Sequence, residues 1–412
     1  MSRFFIFLSL FYLLFSFYGF QAFKTVVKSP WIQGLYWLVF IAALINVIVV
    51  FSGYDRSGPP NGYVAISGGI LLAFLVFGMF AGAFMLVEDV IRAFVWGYNK
   101  VSGATTDNGS FLPSRRKFLS LTALGVAAIP FASLLYGMYK GKYNYKVLRY
   151  ALHFDDLPDA FDGYKITQIS DIHSGSFDNA KMVSYAVDLV NEQASDTILF
   201  TGDLVNNVAT EMDPWKDTFA KLSAKDGVYS VLGNHDYGDY QDWKGDTDAK
   251  VRNLERLKEI QKDMGFDLLL NESRFIERDG QRLALIGVEN WGAGFKKAGD
   301  LSKAIEAIDQ NDFKILMSHD PSHWELEVVD HDMHFHLTLS GHTHGMQFGI
   351  EIPGIVKWSP VKWRYKYWAG IYEQLGQYIN VNRGFGFIGY PGRVGIWPEI
   401  TVIELKKGPK PA

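Results

Sequence analysis

Four long apolar stretches crowd the first third of this 412-residue chain, and they leave little choice about its surroundings. They occupy residues 4–23, 31–51, 64–87 and 118–139. A spanning helix needs about 20 consecutive apolar residues, and each stretch meets or approaches that length. Buried core helices of a soluble domain are the alternative, but four in succession favour a bundle of about four transmembrane helices. A tight loop is expected around Gly53, Pro59, Pro60 and Gly62, because that composition cannot continue a helix. Charged residues return at ordinary soluble density further on. The chain therefore divides into a membrane region, residues 1–145, and a globular domain, residues 150–406.

Lysine and arginine near the span ends set the expected orientation. Lys24 and Lys28 lie between the first two spans, and only Asp55 and Arg56 lie between the next two. Arg92, Lys100, Arg115, Arg116 and Lys117 precede the fourth. An alternating path puts the first and third loops in the cytoplasm and the globular domain outside. Lys140, Lys142, Lys146 and Arg149, just after the fourth span, disagree with it. The run Ser114-Arg115-Arg116-Lys117-Phe118-Leu119 is similar to a twin-arginine export motif and is followed by a mild apolar segment. A positive cluster flanking a membrane helix would look the same, and both readings keep the arginine pair cytoplasmic. The expected location is the inner (plasma) membrane, multi-pass, with the globular domain extracytoplasmic. The spans hold few ionisable groups, so the bundle reads as an anchor rather than a transport pathway.

The net charge of −4 and the lack of a long basic tract argue against nucleic acid as a partner. The chain has no cysteine, which excludes disulfides, thiolate nucleophiles and thiolate metal sites.

From about Tyr164 short β-rich runs alternate with helical ones. Strands are expected at 165–170, 197–201, 228–232, 282–287, 314–317, 336–340, 378–381 and 401–405, and amphipathic helices at 179–193 and 251–264. This pattern reads as a layered α/β domain, in which functional groups sit on loops at strand ends. Five short motifs fall there: Asp171-Ile172-His173, Gly202-Asp203, Gly233-Asn234-His235-Asp236, Ser318-His319-Asp320 and Gly341-His342-Thr343-His344. Two ligands one residue apart in a turn can face one ion. The Asp203 carboxylate has two oxygens and could bridge two. Asn234 offers a neutral oxygen, His235 could reach past the metals to a substrate, and Asp236 could orient it. Mixed imidazole and carboxylate donors without sulfur suit Zn²⁺, Mn²⁺ or Fe²⁺ better than Ca²⁺. The set is too large for one tetrahedral ion and would serve two ions about 3.5–4 Å apart, a spacing typical of two-metal phosphoester hydrolysis.

The ordered set of these motifs resembles the calcineurin-like metallophosphoesterase family, over roughly residues 150–406. The resemblance implies an αββα sandwich. It also implies that Asp171, His173 and His344 hold one metal, that Asn234, His319 and His342 hold a second, and that Asp203 bridges them. His235 would be the acid that protonates the leaving group, and a metal-bound hydroxide would attack phosphorus. Met346 stands where the family often has glycine, which puts the local loop shape in question. The chain further resembles the membrane-anchored bacterial branch of the family. That branch includes twin-arginine-exported enzymes and relatives that cleave the pyrophosphate of UDP-2,3-diacylglucosamine. The implied activity is hydrolysis of a phosphoester or pyrophosphate on a lipid or other membrane-associated substrate. A general phosphodiesterase or phosphomonoesterase on soluble substrates is the alternative. A membrane sensor with an inactive phosphoesterase-like domain is a rival that loss of ligands would have favoured.

Several residues outside the motifs invite roles. His334 and His336 alternate toward Gly341, with packing or surface positions favoured over metal binding. Arg383 and Arg393 lie in glycine-rich turns, where either could approach a phosphate or stabilise a loop. The segment 356–372 mixes Trp358, Trp363, Tyr365, Tyr367 and Trp368 with Lys357, Lys362, Arg364 and Lys366, a composition suited to the bilayer headgroup zone. A loop partly packed on the sheet with solvated charges is the favoured alternative; if the segment docks, Trp363 and Trp368 are the residues expected to carry it.

Overall fold

The computed structural model describes residues 2–55, 62–102, 113–352 and 354–410. The helices up to Tyr139 form one compact unit and the residues after it another.

The first unit holds helices α1 (Ser2–Val26), α2 (Pro30–Ser52), α3 (Gly62–Ser102) and α4 (Pro113–Tyr139). All four are long and apolar enough to cross a membrane. Gly78 and Gly82 let α3 approach α1 closely, because a Cβ on Gly78 would lie 3.1 Å from the Phe15 backbone. Polar groups in the bundle find partners within it. Asn46 Nδ2 donates to Ser67 Oγ at 2.9 Å, and the Tyr36 hydroxyl donates to the Ser16 carbonyl at 2.8 Å. The third helix runs well past the apolar stretch at 64–87, with no proline to stop it, so Arg92 and Lys100 lie on its extension rather than in a loop. The expected turn at 53–62 lies largely outside the described residues, as do Arg56 and the side chain of Ser114.

The second unit is an αββα sandwich. Its first sheet comprises β1 (Lys146–Phe154), β2 (Lys165–Ile169), β3 (Thr197–Phe200), β4 (Val228–Ser230), β5 (Phe266–Leu268) and β14 (Glu399–Lys407), in the order β1-β14-β2-β3-β4-β5. Its second comprises β6 (Glu272–Arg278), β7 (Gln281–Gly287), β8 (Phe313–Met317), β9 (Leu337–Ser340), β12 (Gly370–Gln374) and β13 (Gln377–Val381), in the order β12-β13-β9-β8-β7-β6. A separate antiparallel hairpin pairs β10 (Ile350–Ile352) with β11 (Val356–Trp358).

Strand periodicity builds the layers. Successive side chains point to opposite faces. Leu199 therefore joins the core between the sheets while Ile198 and Phe200 pack outward with Val183, Val187 and Leu257. Those outer partners come from helices α5 (Ala180–Asn191) and α7 (Thr247–Asp263), which lie either side of the short α6 (Lys216–Phe219). In the second sheet Leu283 and Leu285 face inward, while Ala284 and Ile286 meet Trp324 and Val328. Alternation on both sheets is what makes a four-layer unit possible.

Lys142 and Arg149 belong to this fold and not to a juxtamembrane tail. Lys142 is buried and its ammonium lies 2.6 Å from Asp178 Oδ2, and Arg149 on edge strand β1 donates to Gln193 Oε1. Of the histidines away from the motifs, His323 and His336 are buried, while His334 is exposed. His336, at the start of β9, accepts from the Lys314 amide at Nδ1 (2.9 Å) and contacts Asp156 Oδ2 through Nε2 (2.8 Å). His323 Nδ1 lies 2.8 Å from Ser318 Oγ.

The strand ends carry backbone strain. Asp171, His173, Asp203, His342 and His344 all have φ between 48° and 70°. Non-glycine residues enter that left-handed region at a cost of about 1–2 kcal/mol each, and such residues cluster where structure serves function. Met346 has φ 51°, which answers the question raised by its departure from glycine: the loop keeps a glycine-like conformation. Met346→Gly is therefore expected to stabilise the unit by about 1 kcal/mol, measured by thermal denaturation; destabilisation would show that its side chain contributes more than its backbone costs.

Burial holds the imidazoles of His323 and His336 down to about 4. Unfolded histidine titrates near 6.5, so acid protonates the unfolded chain first. The stability these groups contribute is complete above about pH 6.5 and is lost as pH falls toward 4. The melting temperature should drop across that window, and His336→Asn should flatten the drop. An identical pH profile in the variant would contradict the assignment.

Candidate metal centre

All five motifs lie just beyond the carboxyl ends of strands. Asp171 and His173 follow β2, Asp203 follows β3, and Asn234 and His235 follow β4. His319 follows β8, and His342 and His344 follow β9, so the second sheet faces the first across the site. Two glycines make room for ligands. A Cβ on Gly233 would sit 2.2 Å from Asp203 Oδ1, and one on Gly341 would sit 2.3 Å from Asp171 Oδ2.

The donors gather into two groups, Asp171 with His173 and His344, and Asp203 with His319 and His342. Asp203 Oδ2 lies 3.1 Å from His319 Nε2 and 3.6 Å from His173 Nε2, between the two groups. Asp203 Oδ1 accepts the His235 amide at 2.8 Å. His344 Nε2 stands 3.2 Å from Asp171 Oδ1 and 3.0 Å from His173 Nε2. Asn234 Oδ1 lies 2.8 Å from His342 Nδ1, and its amide nitrogen is held by the Tyr240 hydroxyl at 2.9 Å.

Backbone carbonyls fix how the rings present themselves. His173 Nδ1 faces the Val205 carbonyl at 3.2 Å, and His319 Nδ1 faces the Thr201 carbonyl at 2.7 Å. Each Nδ1 must donate there, so each ring turns its Nε2 inward. His342 is reversed. Its Nδ1 faces the centre, and its Nε2 meets the Tyr365 hydroxyl at 2.8 Å with Asp320 Oδ2 at 3.5 Å. Imidazole nitrogens and carboxylate oxygens therefore converge in a buried space, an arrangement that suits a cation. That geometry and the sulfur-free donor set fit divalent metal ions. Titration behaviour agrees. Burial pushes the His173 imidazole well below its ordinary range. Burial also opposes charge on His319, but the Asp203 carboxylate outweighs it and raises the imidazole to about 10.

His235 lies apart from the two groups and lines the cleft. Its Nδ1 is 2.6 Å from the Asn206 carbonyl, which leaves Nε2 as the other ring nitrogen. The Asn206 loop is braced by the buried Glu211 carboxylate, which accepts the amides of Asn206, Asn207 and Val208. The expectation that Asp236 orients His235 needs correction. Asp236 is fully buried, and its carboxylate accepts the amides of Asp203 (3.0 Å), Leu204 (2.8 Å) and Gly233 (2.9 Å). It holds the loops that carry Asp203 and Asn234, while Asn206 orients the histidine. Burial and the neighbouring Asp203 charge push the Asp236 carboxyl up to about 7.

The centre opens into a cleft of about 430 Å³. His173, Asp203, Asn234, His235, His342 and His344 line it, and Phe295, Met346, Trp363, Arg364, Tyr365 and Ile388 add a largely apolar wall with one cation. Arg383 and Arg393 do not line it. Arg383 is buried against Glu351 and Glu399, and Arg393 donates to the carbonyls of Gly384 and Gly386. The paired docking role expected for Trp363 and Trp368 also needs correction. Trp363 is 76 % exposed, whereas Trp368 is buried under the Gly345 loop. Tyr240, Asn206, Phe295 and the particular role of Tyr365 had no sequence motif of their own; only Tyr365 lay in a segment that composition singled out.

Known proteins share both units. Residues 164–346 match the family described as calcineurin-like phosphoesterase, and residues 2–142 match one described as "Probable Calcineurin-like phosphoesterase, transmembrane domain". An uncharacterized metallophosphoesterase, YkuE of Bacillus subtilis, is 28 % identical over 299 residues, 71 % of this chain and 98 % of the relative. Phosphodiesterase YaeI of Escherichia coli is 27 % identical over 293 residues, 71 % of this chain and 99 % of the relative. An uncharacterized metallophosphoesterase of Helicobacter pylori aligns over 404 residues at 25 % identity, 97 % of each chain. With its motifs, its sandwich and its two metal-ligand groups, the chain belongs to the calcineurin-like phosphoesterases and is a phosphoester hydrolase built onto a membrane domain.

Proposed function

We propose that this protein hydrolyses a phosphoester or pyrophosphate bond on a lipid or other membrane-associated substrate, using two divalent cations. The position of Asp203 Oδ2 between two groups of imidazole donors carries the reading. Asp171, His173 and His344 would hold one cation, Asn234, His319 and His342 the other, with Asp203 shared. The donor chemistry suits Mn²⁺, Zn²⁺ or Fe²⁺. When bound, such a pair neutralises phosphoryl charge and makes a water acidic enough to act as nucleophile near neutral pH.

The chain's own residues do the rest. The water oxygen forms a bond to phosphorus as the bond to the leaving oxygen breaks, and the leaving oxygen needs a proton. His235 is the group placed to give it. The Asn206 carbonyl fixes its ring through Nδ1, so Nε2 delivers the proton. Asp236 acts by position, holding the loops of Asp203 and Asn234 in register. The apolar wall formed by Phe295, Met346 and Trp363, with Arg364 beside it, favours a substrate that combines phosphate with an apolar group. The Escherichia coli relative named a phosphodiesterase supports the diester form of the reaction, and a soluble diester is the second reading. The complete donor set speaks against an inactive sensor.

For location we infer the inner (plasma) membrane with the catalytic unit extracytoplasmic. The basic clusters at 24–28 and 92–117 support it, and the use of Lys142 and Arg149 inside the fold weakens the objection those charges raised.

Metal content and hydrolysis of aryl phosphate mono- and diesters, measured together, test the mechanism. Asp203→Asn should lose metal and activity at once. His235→Ala should keep its metal and lose about 10²–10⁴ in turnover. A metal-free Asp203→Asn protein that hydrolyses at the wild-type rate would sink the proposal.

A further inference from the structure

The β10–β11 hairpin is built inside out. Ile350 pairs with Trp358 and Ile352 with Val356 across its two strands, so these four side chains share one face. That face looks to solvent: Ile350 is 54 % exposed and Ile352 48 %. Ile355, at the turn, is 80 % exposed. The charged pair Glu351 and Lys357 lies on the opposite face, where both side chains bond to the domain although Lys357 stays exposed overall. Glu351 holds Arg383 in a two-point ion pair, and the Lys357 ammonium donates to the Ala369 carbonyl. A soluble hairpin ordinarily places these classes the other way round, and contiguous exposed apolar surface marks an interaction site.

The patch does not stop at the hairpin. The Trp363 ring meets Trp358 edge-to-face with centroids 6.0 Å apart, and Trp363 is itself exposed. Trp363 and Met346 also line the catalytic cleft, so the apolar face runs into the cleft mouth. Met346 holds a strained left-handed backbone there while leaving its side chain 59 % exposed. Exposed Lys362, Arg364 and Lys366 flank Trp363.

We propose that the outer face of the β10–β11 hairpin, with Ile355 and Trp363, is a membrane-docking surface that sets the cleft mouth at the level of anionic lipid headgroups. Three observations favour a bilayer as the occupant. Tryptophan beside lysine and arginine matches the chemistry of the interface, where aromatic rings sit at headgroup depth and cations meet anionic lipid. The membrane domain is part of the same chain, and the catalytic unit begins directly after α4, so a bilayer is always at hand. The apolar side chains lie on a short hairpin and its neighbouring loop, which suits shallow insertion rather than spanning. A docked cleft would receive a headgroup phosphate without extracting the lipid. That consequence rests on the lipid-substrate reading above; the docking itself does not.

The cysteine-free chain permits a direct test. Ile352→Cys and Ile355→Cys, each in the full-length protein, are spin-labelled and placed one chain per nanodisc, in phosphatidylglycerol-rich or purely zwitterionic lipid. Tyr185→Cys on α5, 51 % exposed in the wild type, is the control. Labels at 352 and 355 should collide readily with oxygen and be shielded severalfold from a water-soluble nickel chelate, more so in the anionic discs, while the label at 185 stays open to the chelate. Chelate access at 352 and 355 equal to that at 185 overturns docking. Shielding that appears only when two chains share a disc also overturns it, in favour of contact between copies. A docked protein that hydrolyses soluble aryl phosphates but not phosphatidic acid in vesicles would tell against that lipid as substrate and leave docking standing.

Discussion

The catalytic unit is organised around carboxylates and imidazoles that converge in one buried space. Asp203 is buried between imidazoles whose outer nitrogens are already committed to the carbonyls of Val205 and Thr201. An apolar interior tolerates such a cluster poorly, and a buried charge needs a partner. The backbone surroundings are arranged for that partner. Five ligand residues hold left-handed dihedrals, two glycines withhold a Cβ where a carboxylate must pass, and Asp236 gathers four loop amides. Each device costs stability or chain freedom, and together they aim the donors at common points.

The ligands were legible in the sequence because their spacing is local. Two donors one residue apart in a turn, repeated at both ends of the motif series, leave a signature that survives without knowledge of the fold. The alternating pattern of β2, β3 and β7–β9 was legible for a similar reason, since these are buried strands with apolar runs. The groups that orient the ligands left no such mark. Thr201, Val205 and Asn206 act through backbone carbonyls, which every residue has. Asp236 was misjudged because adjacency to His235 in the chain suggests contact, whereas the turn sends the two side chains in different directions. Strand β1 was missed because an edge strand with Lys146 and Arg149 does not show the apolar run of a central one.

Composition alone also misplaced part of the aromatic segment. Trp363 and Trp368 look equivalent in the sequence, yet Trp368 packs with Val361 and Ile396 while Trp363 faces out. Trp363 closes the short helical turn at Pro360–Trp363, and Trp368 lies five residues beyond it. The same turn places Arg364 and Tyr365 at the cleft, so one local bend supplies the exposed ring, the cation of the wall and the hydroxyl that meets His342.

The order of the first sheet carries a consequence for how the protein is made. Strand β1 emerges directly after the last membrane helix, but its partner is β14, paired from Lys146–Glu399 through to Phe154–Lys407. The edge of that sheet cannot close until the far end of the catalytic unit has arrived. Contacts between segments so distant in the chain form slowly. The unit is thus held to the membrane by a strand that completes its ladder only after nearly everything between is in place, and a nascent chain anchored in lipid would carry an open β-edge throughout its synthesis.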